Sequence, residues 1–579
     1  MPNPVAVNDL SPISGSLQTS RISYGVETAG KDYGQDYNGT TWYSDIPNNG
    51  QFYTIISDNY TANYYVSRSN AGGAYVEGGL PAVDEYSAPV FWITAGTSSL
   101  DVITIVNGLP DRIGQIPFNS GSQALNWVAS SSNYFAVGPD YYSQIDADNL
   151  RLYLDANQVI SYPTTQSTWY DLSGYNQNFT LYNGLQTSWN TNGWFTFDQT
   201  DDYALNTTSQ FQSSSGTIVV TCYPNSGLDN DYIAGVGGDL TIGGSRAIGI
   251  ISGQWWFVGY GSSTQDYLSG FAVNSNRWSQ VVYTWNNITE ITASVNGVFE
   301  TVTRSGLVTP SGVNFTLGRP PWNNTAATWG GNLSTVQFYP KALTQTEILQ
   351  NYYGGLIVTD GLIYAIDAGN LVSYPRTGTT VYPLTGSNTD TLTNGVGFLP
   401  IDGGTWTFDG VDDYIDLSTD PWPANAFGND SISVWFKFSG AGVILGQNAG
   451  APFSLSSYVP AIYIDTSYYL RTSVFWGGST GNQSVSPSPL SINTWYNVTV
   501  TNESNTQKTY LNGELIATLS KTQTSYAGAY YYTLGAGVWA GWGGTTGNVG
   551  YLQGQIANLY YYNSSLTEAQ VQQIYNATK

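Results

Sequence analysis

One stretch occurs twice, and this constrains the fold more than anything else in the chain. The second copy runs VTDGLIYAIDAGNLVSYPRTGTTVYPLTG from Val358 to Gly386 and leads on to GTWTFDGVDDYIDL from Gly404 to Leu417. The first begins DNLRLYLDANQVISYPTTQSTWYDLSG at Asp148 and leads on to GWFTFDQTDDYALN from Gly193 to Asn206. Asp155-Ala156 aligns with Asp367-Ala368, and Ser161-Tyr162-Pro163 with Ser373-Tyr374-Pro375. Phe197-Asp198 aligns with Phe408-Asp409, and Asp201-Asp202-Tyr203 with Asp412-Asp413-Tyr414. A repeat of such long period means that one domain is present twice. The copies span 145–355 and 358–579.

Within each copy the order of local signals is the same. GTIVVTCYP matches SISVWFKFSG, and NRWSQVVY matches NTWYNVTV. Each is a short run rich in β-branched and aromatic residues, as strands are. Asn296-Gly297 and Asn512-Gly513 are two-residue hairpin turns. Leu150, Leu152 and Leu154 alternate with Arg151 and Tyr153, which predicts a half-buried strand. The first copy closes with a strand around Val336–Phe338 and a short helix, with Thr344 as N-cap and Glu347 completing a capping box. The second closes the same way, with Thr567 at the head of the last helix. Short strands in units of this size suit a two-sheet antiparallel sandwich or jelly roll.

Upstream, 31–140 reads as a separate small β-rich module. QFYTIIS, NYYVSRS, APVFWITAG and LDVITIVNG are its strands, and SGSQALNWVASS, from Ser120 to Ser131, a short helix. Residues 1–30 are an extended arm, broken by Pro2, Pro4 and Pro12. Such a segment cannot bury enough surface to offset its own ordering, so it is expected to order against a partner.

Composition removes several functions. The 16 Lys plus Arg face 40 Asp plus Glu, a net charge of −24, which disfavours nucleic acid and anionic membrane surfaces. There are no His residues, so the commonest general base and metal ligand is missing. A single Cys, Cys222, excludes an intrachain disulfide and reads as a buried side chain on its strand. The N-terminal residues do not form a signal peptide, and no apolar run approaches membrane-spanning length.

The repeat resembles the laminin-G-like domains of the concanavalin A-like lectin/glucanase superfamily. The residues that carry the resemblance are Phe408-Asp409-Gly410 with Asp412-Asp413-Tyr414, then Trp495, Asn512-Gly513, Leu534-Gly535 and Leu566-Thr567. In the first copy they are Phe197-Asp198 with Asp201-Asp202-Tyr203, then Trp278, Asn296-Gly297, Leu317-Gly318 and Leu343-Thr344. The first copy departs by having Gln199 where the second has Gly410. The resemblance implies an all-β chain of two tandem concanavalin A-like jelly-roll sandwiches. The superfamily hosts binders, enzymes and structural modules, so fold alone does not give function. The second copy's opening and ending, and the stretch Thr104–Pro139, are also similar to virion structural proteins of tailed bacteriophages. That similarity implies a virion location, assembly in the host cytoplasm, a homo-oligomer, and other virion proteins of capsid, tail or baseplate as partners.

Glucanases of the superfamily carry two Glu on one strand in an E-x-D-x-x-E pattern, and none occurs here. Two other constellations stand out. Asp198, Asp201 and Asp202, and likewise Asp409, Asp412 and Asp413, place three carboxylates within five residues at a turn. A hard cation such as calcium prefers oxygens from such a turn, and the same pattern serves as plain Asx-type turns. Trp322, Trp329, Trp539 and Trp542 lie in Gly/Asn-rich loops, where an aromatic face either stacks on sugar or packs inward. The expectation is a non-enzymatic virion protein whose N-terminal part anchors it and whose sandwiches adhere to host-surface polysaccharide. A purely architectural decoration or fibre, and a carbohydrate-active enzyme, are the alternatives.

Overall fold

The computed structural model describes residues 149–578 apart from 159–160, 163–165, 174, 239–243, 260–266, 287–289, 304–307, 313, 323–326, 356–357, 387, 401–402, 418–428, 450–451, 456, 474–482 and 521–529. It also gives the path of five strands between 52 and 117. The arm at 1–30 and the helix expected over Ser120–Ser131 lie outside the described residues. Strands Phe52–Ile56, Asn63–Ser67, Val90–Ile93, Ser99–Val106 and Leu109–Pro117 pair antiparallel in chain order, as a meander. The last of them, LPDRIGQIP, is not legible as a strand, because two Pro and two charges interrupt its pattern.

Downstream the chain is all-β and forms two antiparallel sandwiches, each of two sheets. One sheet of the first runs Val298–Thr303, Glu290–Val295, Ser279–Asn286, Gly216–Pro224, Gly330–Tyr339, Trp194–Asp198, Trp189–Asn190. The strand Leu152–Asp155 also pairs with Gly330–Tyr339. The facing sheet is centred on Asp231–Gly237, Asn314–Leu317 and Tyr203–Thr207. The second sandwich repeats this order, with Gln553–Tyr562 between Thr405–Asp409 and Asn429–Gly440, and Leu362–Asp367 sharing its edge. Its facing sheet is centred on Tyr414–Leu417, Tyr530–Leu534 and Gly442–Ala449. The alternation expected at Leu150–Leu154 is not realised. Tyr153 is buried as well as Leu152 and Leu154. Residues of the closing helix and of the second sandwich's opening turn, Asn351 and Asn370 among them, surround its outer side.

Each repeated motif has a physical task, performed twice. Asp155 Oδ1 accepts from Asn157 N, and Asp367 Oδ1 accepts from Gly369 N at 2.8 Å in both cases. The Asp N–H groups in turn donate to Ser161 Oγ and Ser373 Oγ. Tyr162 and Tyr374 donate to the carbonyls of Gln166 and Gly378. The opening motif is thus a hydrogen-bonded corner that satisfies the chain where it leaves its first strand. Asn296 and Asn512 adopt positive φ, as a type I′ hairpin requires. Their side chains also accept from Gln280 N and Asn497 N on the neighbouring strand.

The Phe of each F-D motif and the Gly of each L-G motif meet across the sandwich. A Cβ on Gly318 would lie 2.5 Å from Phe197 Cε1, and one on Gly535 would lie 2.2 Å from Phe408 Cε1. Both glycines have positive φ. Their N–H groups donate to Ile233 O and Ile444 O, and their carbonyls accept from Trp329 N and Leu552 N. Only glycine satisfies this conformation and this close approach together. The Gln199/Gly410 difference resolves in the same way. Gln199 lies against Gly330 in the first copy, and Gly410 lies against Gln553 in the second. Bulk has moved from one strand to the other, and the space between them is filled once in each.

Helix α1 (Gln345–Tyr352) closes the first sandwich and α2 (Glu568–Thr578) the second. Thr344 and Glu347 form the expected capping box, and Thr567 makes the equivalent pair with Gln570. Each helix rests on its hairpin turn, Tyr352 against Gly297 and Tyr575 against Gly513. Tyr352 also belongs to an apolar cluster whose other buried members, Ala365, Tyr560 and Ile574 among them, come from the second sandwich. Its hydroxyl donates to Leu384 O, its carbonyl accepts from Asn370 Nδ2, and Arg376 Nη1 reaches Asn192 O at 2.6 Å. Each such hydrogen bond contributes about 1 kcal/mol net. Burying one large aromatic contributes about 2–3 kcal/mol, so apolar contact dominates the junction.

The Phe–Gly contact yields a stability prediction. Gly535→Ala should lose about 3 kcal/mol in urea unfolding, because it adds both a steric clash and left-handed strain. Gly541→Ala, at a positive φ with nothing within 4 Å, should lose only about 1 kcal/mol. Equal losses would show that the ring contact contributes nothing.

Candidate functional site

The two Asp turns carry the chain from one sheet to the other, between Trp194–Asp198 and Tyr203–Thr207 and between Thr405–Asp409 and Tyr414–Leu417. Their hydrogen bonds are the same in both copies. Asp198 Oδ1 accepts from Thr200 N and Asp201 N, and Asp409 Oδ1 accepts from Val411 N and Asp412 N. Asp202 Oδ2 accepts from Asp198 N, and Asp413 Oδ2 accepts from Asp409 N. Each trio offers carboxylate oxygens within 4.8 Å of one another, with the third Asp buried and the first two exposed. Burial, and then the Asp198 charge, push the Asp202 carboxyl up to about 6. Burial also raises Asp413, whose Oδ1 is buried and accepts no hydrogen bond. Burial opposes ionisation of Asp198 too, but the N–H groups of Thr200, Asp201 and Asp202 outweigh it and hold the carboxyl low. The Asx-turn reading accounts for these contacts. A calcium shell of six to eight oxygens would need donors beyond the three carboxylates, some of which already serve the backbone.

The four loop tryptophans turn inward or lie on the protein. Trp329 is fully buried in the core and stacks on Trp255 at 6.5 Å. Trp539 and Trp542 are buried against Val443, Val459 and Tyr463, with Trp539 Nε1 donating to Thr546 O. Trp322 is half-buried and meets Tyr232 edge-on. Gly-rich surroundings signal close packing here as readily as exposure. Cys222 is buried as expected, and burial pushes its thiol far up.

A hollow of about 310 Å³ lies elsewhere, between the sandwiches. Trp194, Tyr223 and Trp278 line it from the outer face of one sheet, and Leu371 and Tyr382 from the second sandwich. Trp194 and Trp278 meet edge-on at 5.3 Å and pack with Leu371. The Arg277 guanidinium sits 4.3 Å over the Tyr382 ring, so a cation of one sandwich is held by an aromatic of the other. Asn276 and Asn332 supply amides, and no Asp or Glu is among the lining residues. Sequence reasoning takes Trp278 as a fold marker and does not single out Trp194, Tyr223 or Arg277. The available signal is period two. Trp194 precedes inward Phe195, and Tyr223 follows inward Cys222, so both aromatics must face outward.

Two-sheet antiparallel jelly rolls in tandem, closed by capped helices and meeting at an aromatic-lined cavity, define a protein of lectin-like architecture. The family described as the concanavalin A-like lectin/glucanases superfamily matches residues 197–349 and 409–572, and the chain belongs to it. No curated protein matches the chain. Among solved structures, it is similar to the mouse laminin alpha1 chain domains LG4-5, with 11% identity, 65% of this chain and 92% of that one covered, and a TM-score of 0.23. It is similar to the CBM40 of Ruminococcus gnavus IT-sialidase bound to alpha2,3 sialyllactose, with 16% identity, 23% and 80% covered, and a TM-score of 0.22. It is similar to Domain 4 of the arabinanase AbnA from Geobacillus stearothermophilus in complex with arabinotriose, with 16% identity, 37% and 97% covered, and a TM-score of 0.25. Likeness of this degree carries no argument about ligands. Among the described residues, no helix is long and apolar enough to cross a membrane.

The raised Asp202 carboxyl gives a pH test of the first turn. A folded value above the ordinary 3.8 means that the fold binds the proton better than the unfolded chain does. Stability should therefore fall as pH rises from about 4 to about 6, by roughly 1–3 kcal/mol, and Asp202→Asn should flatten that slope. A cation in the turn would compete with the proton. Calcium should then raise the melting temperature at pH 7, and chelator should lower it. Melting curves of the natural chain that ignore both calcium and chelator, with Asp412→Ala/Asp413→Ala still lowering stability through the lost Asp409 N–H bond, would leave the turn reading alone.

Proposed function

We propose that the chain is a non-enzymatic carbohydrate-binding protein whose sugar site is the cavity between the two sandwiches. The observation that carries this reading is the composition of that cavity: aromatic rings beside side-chain amides, within a fixed hollow. Aromatic faces stack on the C–H surfaces of sugars, and Asn amides bond to hydroxyls. The volume falls at the small end of the about 300–1,000 Å³ usual for ligand sites. Glycoside cleavage requires two carboxyl groups flanking the bond, and none lines the hollow among the described residues. The carboxylates of the Asp turns accept bonds from their own backbone, which supports a structural rather than a catalytic task.

In this reading residues 1–140 attach the chain, as a homo-oligomer, to a phage particle, and the sandwiches adhere to host-surface polysaccharide. The support for attachment is the sequence similarity of Thr104–Pro139 and the Pro-broken arm. Two measurements test the two halves. On a glycan array the full chain should bind a saccharide, and Tyr382→Ala or Asn332→Ala should abolish the signal while Trp322→Ala leaves it. Release of reducing ends from any bound polysaccharide would replace binding by catalysis. A chain beginning at Lys31 should fold yet fail to join particles, and its incorporation at the full level would remove the arm as anchor.

A further inference from the structure

We infer that the cavity between the sandwiches selects a carboxylate-bearing saccharide, with Arg277 as the group that reads the carboxylate. This rests on the carbohydrate-binding reading and adds the chemical class of the ligand.

Charge is the first argument. The chain has 40 Asp plus Glu against 16 Lys plus Arg, and some of its cations find an acid. Lys341 is 2.9 Å from Glu347, and Arg471 Nε is 2.6 Å from Asp465. Arg277 does not find one among the described residues, as Arg319 over the Tyr203 ring does not, and of the two it is Arg277 that borders this hollow. Among the described residues it pairs with no carboxylate, its Nε is buried and makes no hydrogen bond, and no acid lines the hollow that it borders. Its guanidinium lies over the Tyr382 ring, and its charge also reaches the buried Tyr352. A ring holds a guanidinium by its face and leaves the planar edge of N–H donors free. That edge matches a carboxylate in geometry as well as in charge.

The surroundings supply the second argument. Trp194 and Trp278 are buried and fix the floor, while Tyr223, Tyr382 and Asn332 are half-exposed toward the hollow. A simple anion would be served by the cation alone and would gain nothing from rings and amides. A saccharide with a carboxyl group uses all three kinds of group at once. The net charge of −24 repels such a ligand at long range, so selection must come from the short-range pair.

A hexuronate and a sialate present the same carboxylate, so two matched pairs are required. Isothermal titration should compare digalacturonate with its dimethyl ester, and alpha2,3 sialyllactose with lactose. The acidic member of at least one pair should bind more tightly. Arg277→Gln should lose roughly 10- to 100-fold for that member and nothing for its neutral partner. Arg277→Lys, which keeps the charge but not the fork, should fall between. An unaltered melting temperature for Arg277→Gln excludes misfolding. Should that variant unfold, the two acidic-against-neutral comparisons on the natural chain decide alone. Equal binding of acidic and neutral members, or an unaffected Arg277→Gln, overturns the carboxylate inference and leaves a neutral-sugar site. Binding by none of the four overturns it as well, and the glycan array then decides the carbohydrate reading separately.

Discussion

The contact of a phenylalanine ring with a bare glycine fixes each sandwich. Phe197 and Phe408 stand on one sheet, and Gly318 and Gly535 end a strand of the other. The ring closes the end of the core, while the glycine's N–H and carbonyl tie a neighbouring strand to the incoming chain. The Asp turn begins at the residue after the Phe. Its place is therefore set by how deeply that ring seats, and its three carboxylates follow from a packing event. This is why F-D and L-G survive together in both copies while the loops between them vary in length.

Most of this fold is legible in the sequence, because each repeated motif performs one local task. Asn-Gly makes a type I′ turn, Thr with Glu or Gln caps a helix, and Asp with Ser closes the opening corner. The candidate site is far less legible. Loop tryptophans flanked by glycine are placed by what they pack against, and Trp329, Trp539 and Trp542 find partners within their own sandwich. The cavity depends on two outer faces meeting, and no local spacing encodes that meeting. Strand period alone marks Trp194 and Tyr223 as outward, and it does not say that Leu371 and Tyr382 will stand opposite.

The two copies share a scaffold and differ on the surface that matters. By register, Trp194 corresponds to Thr405, Tyr223 to Lys437 and Trp278 to Trp495. In the first copy those positions make an apolar wall that the second sandwich covers. In the second copy Lys437 lies over the Trp495 ring, and Thr405 donates to Gln555. A wall of that kind without a covering partner would be an exposed apolar patch, which soluble surfaces avoid. The difference fixes the order of the pair, since the first copy presents the wall that its partner covers.

Helix α1 has a mechanical consequence. Tyr352 belongs to the closing helix of one sandwich and sits in an apolar cluster of the other. Tension applied along the chain does not therefore pass through a slack tether. It must shear this cluster and slide the Arg376 and Asn370 hydrogen bonds past their acceptors before the sandwiches separate. Shear loads many contacts in parallel, whereas peeling loads them one at a time. The pair should behave as a single stiff rod under pull, and under rising load the cavity at its waist should give way before either core does.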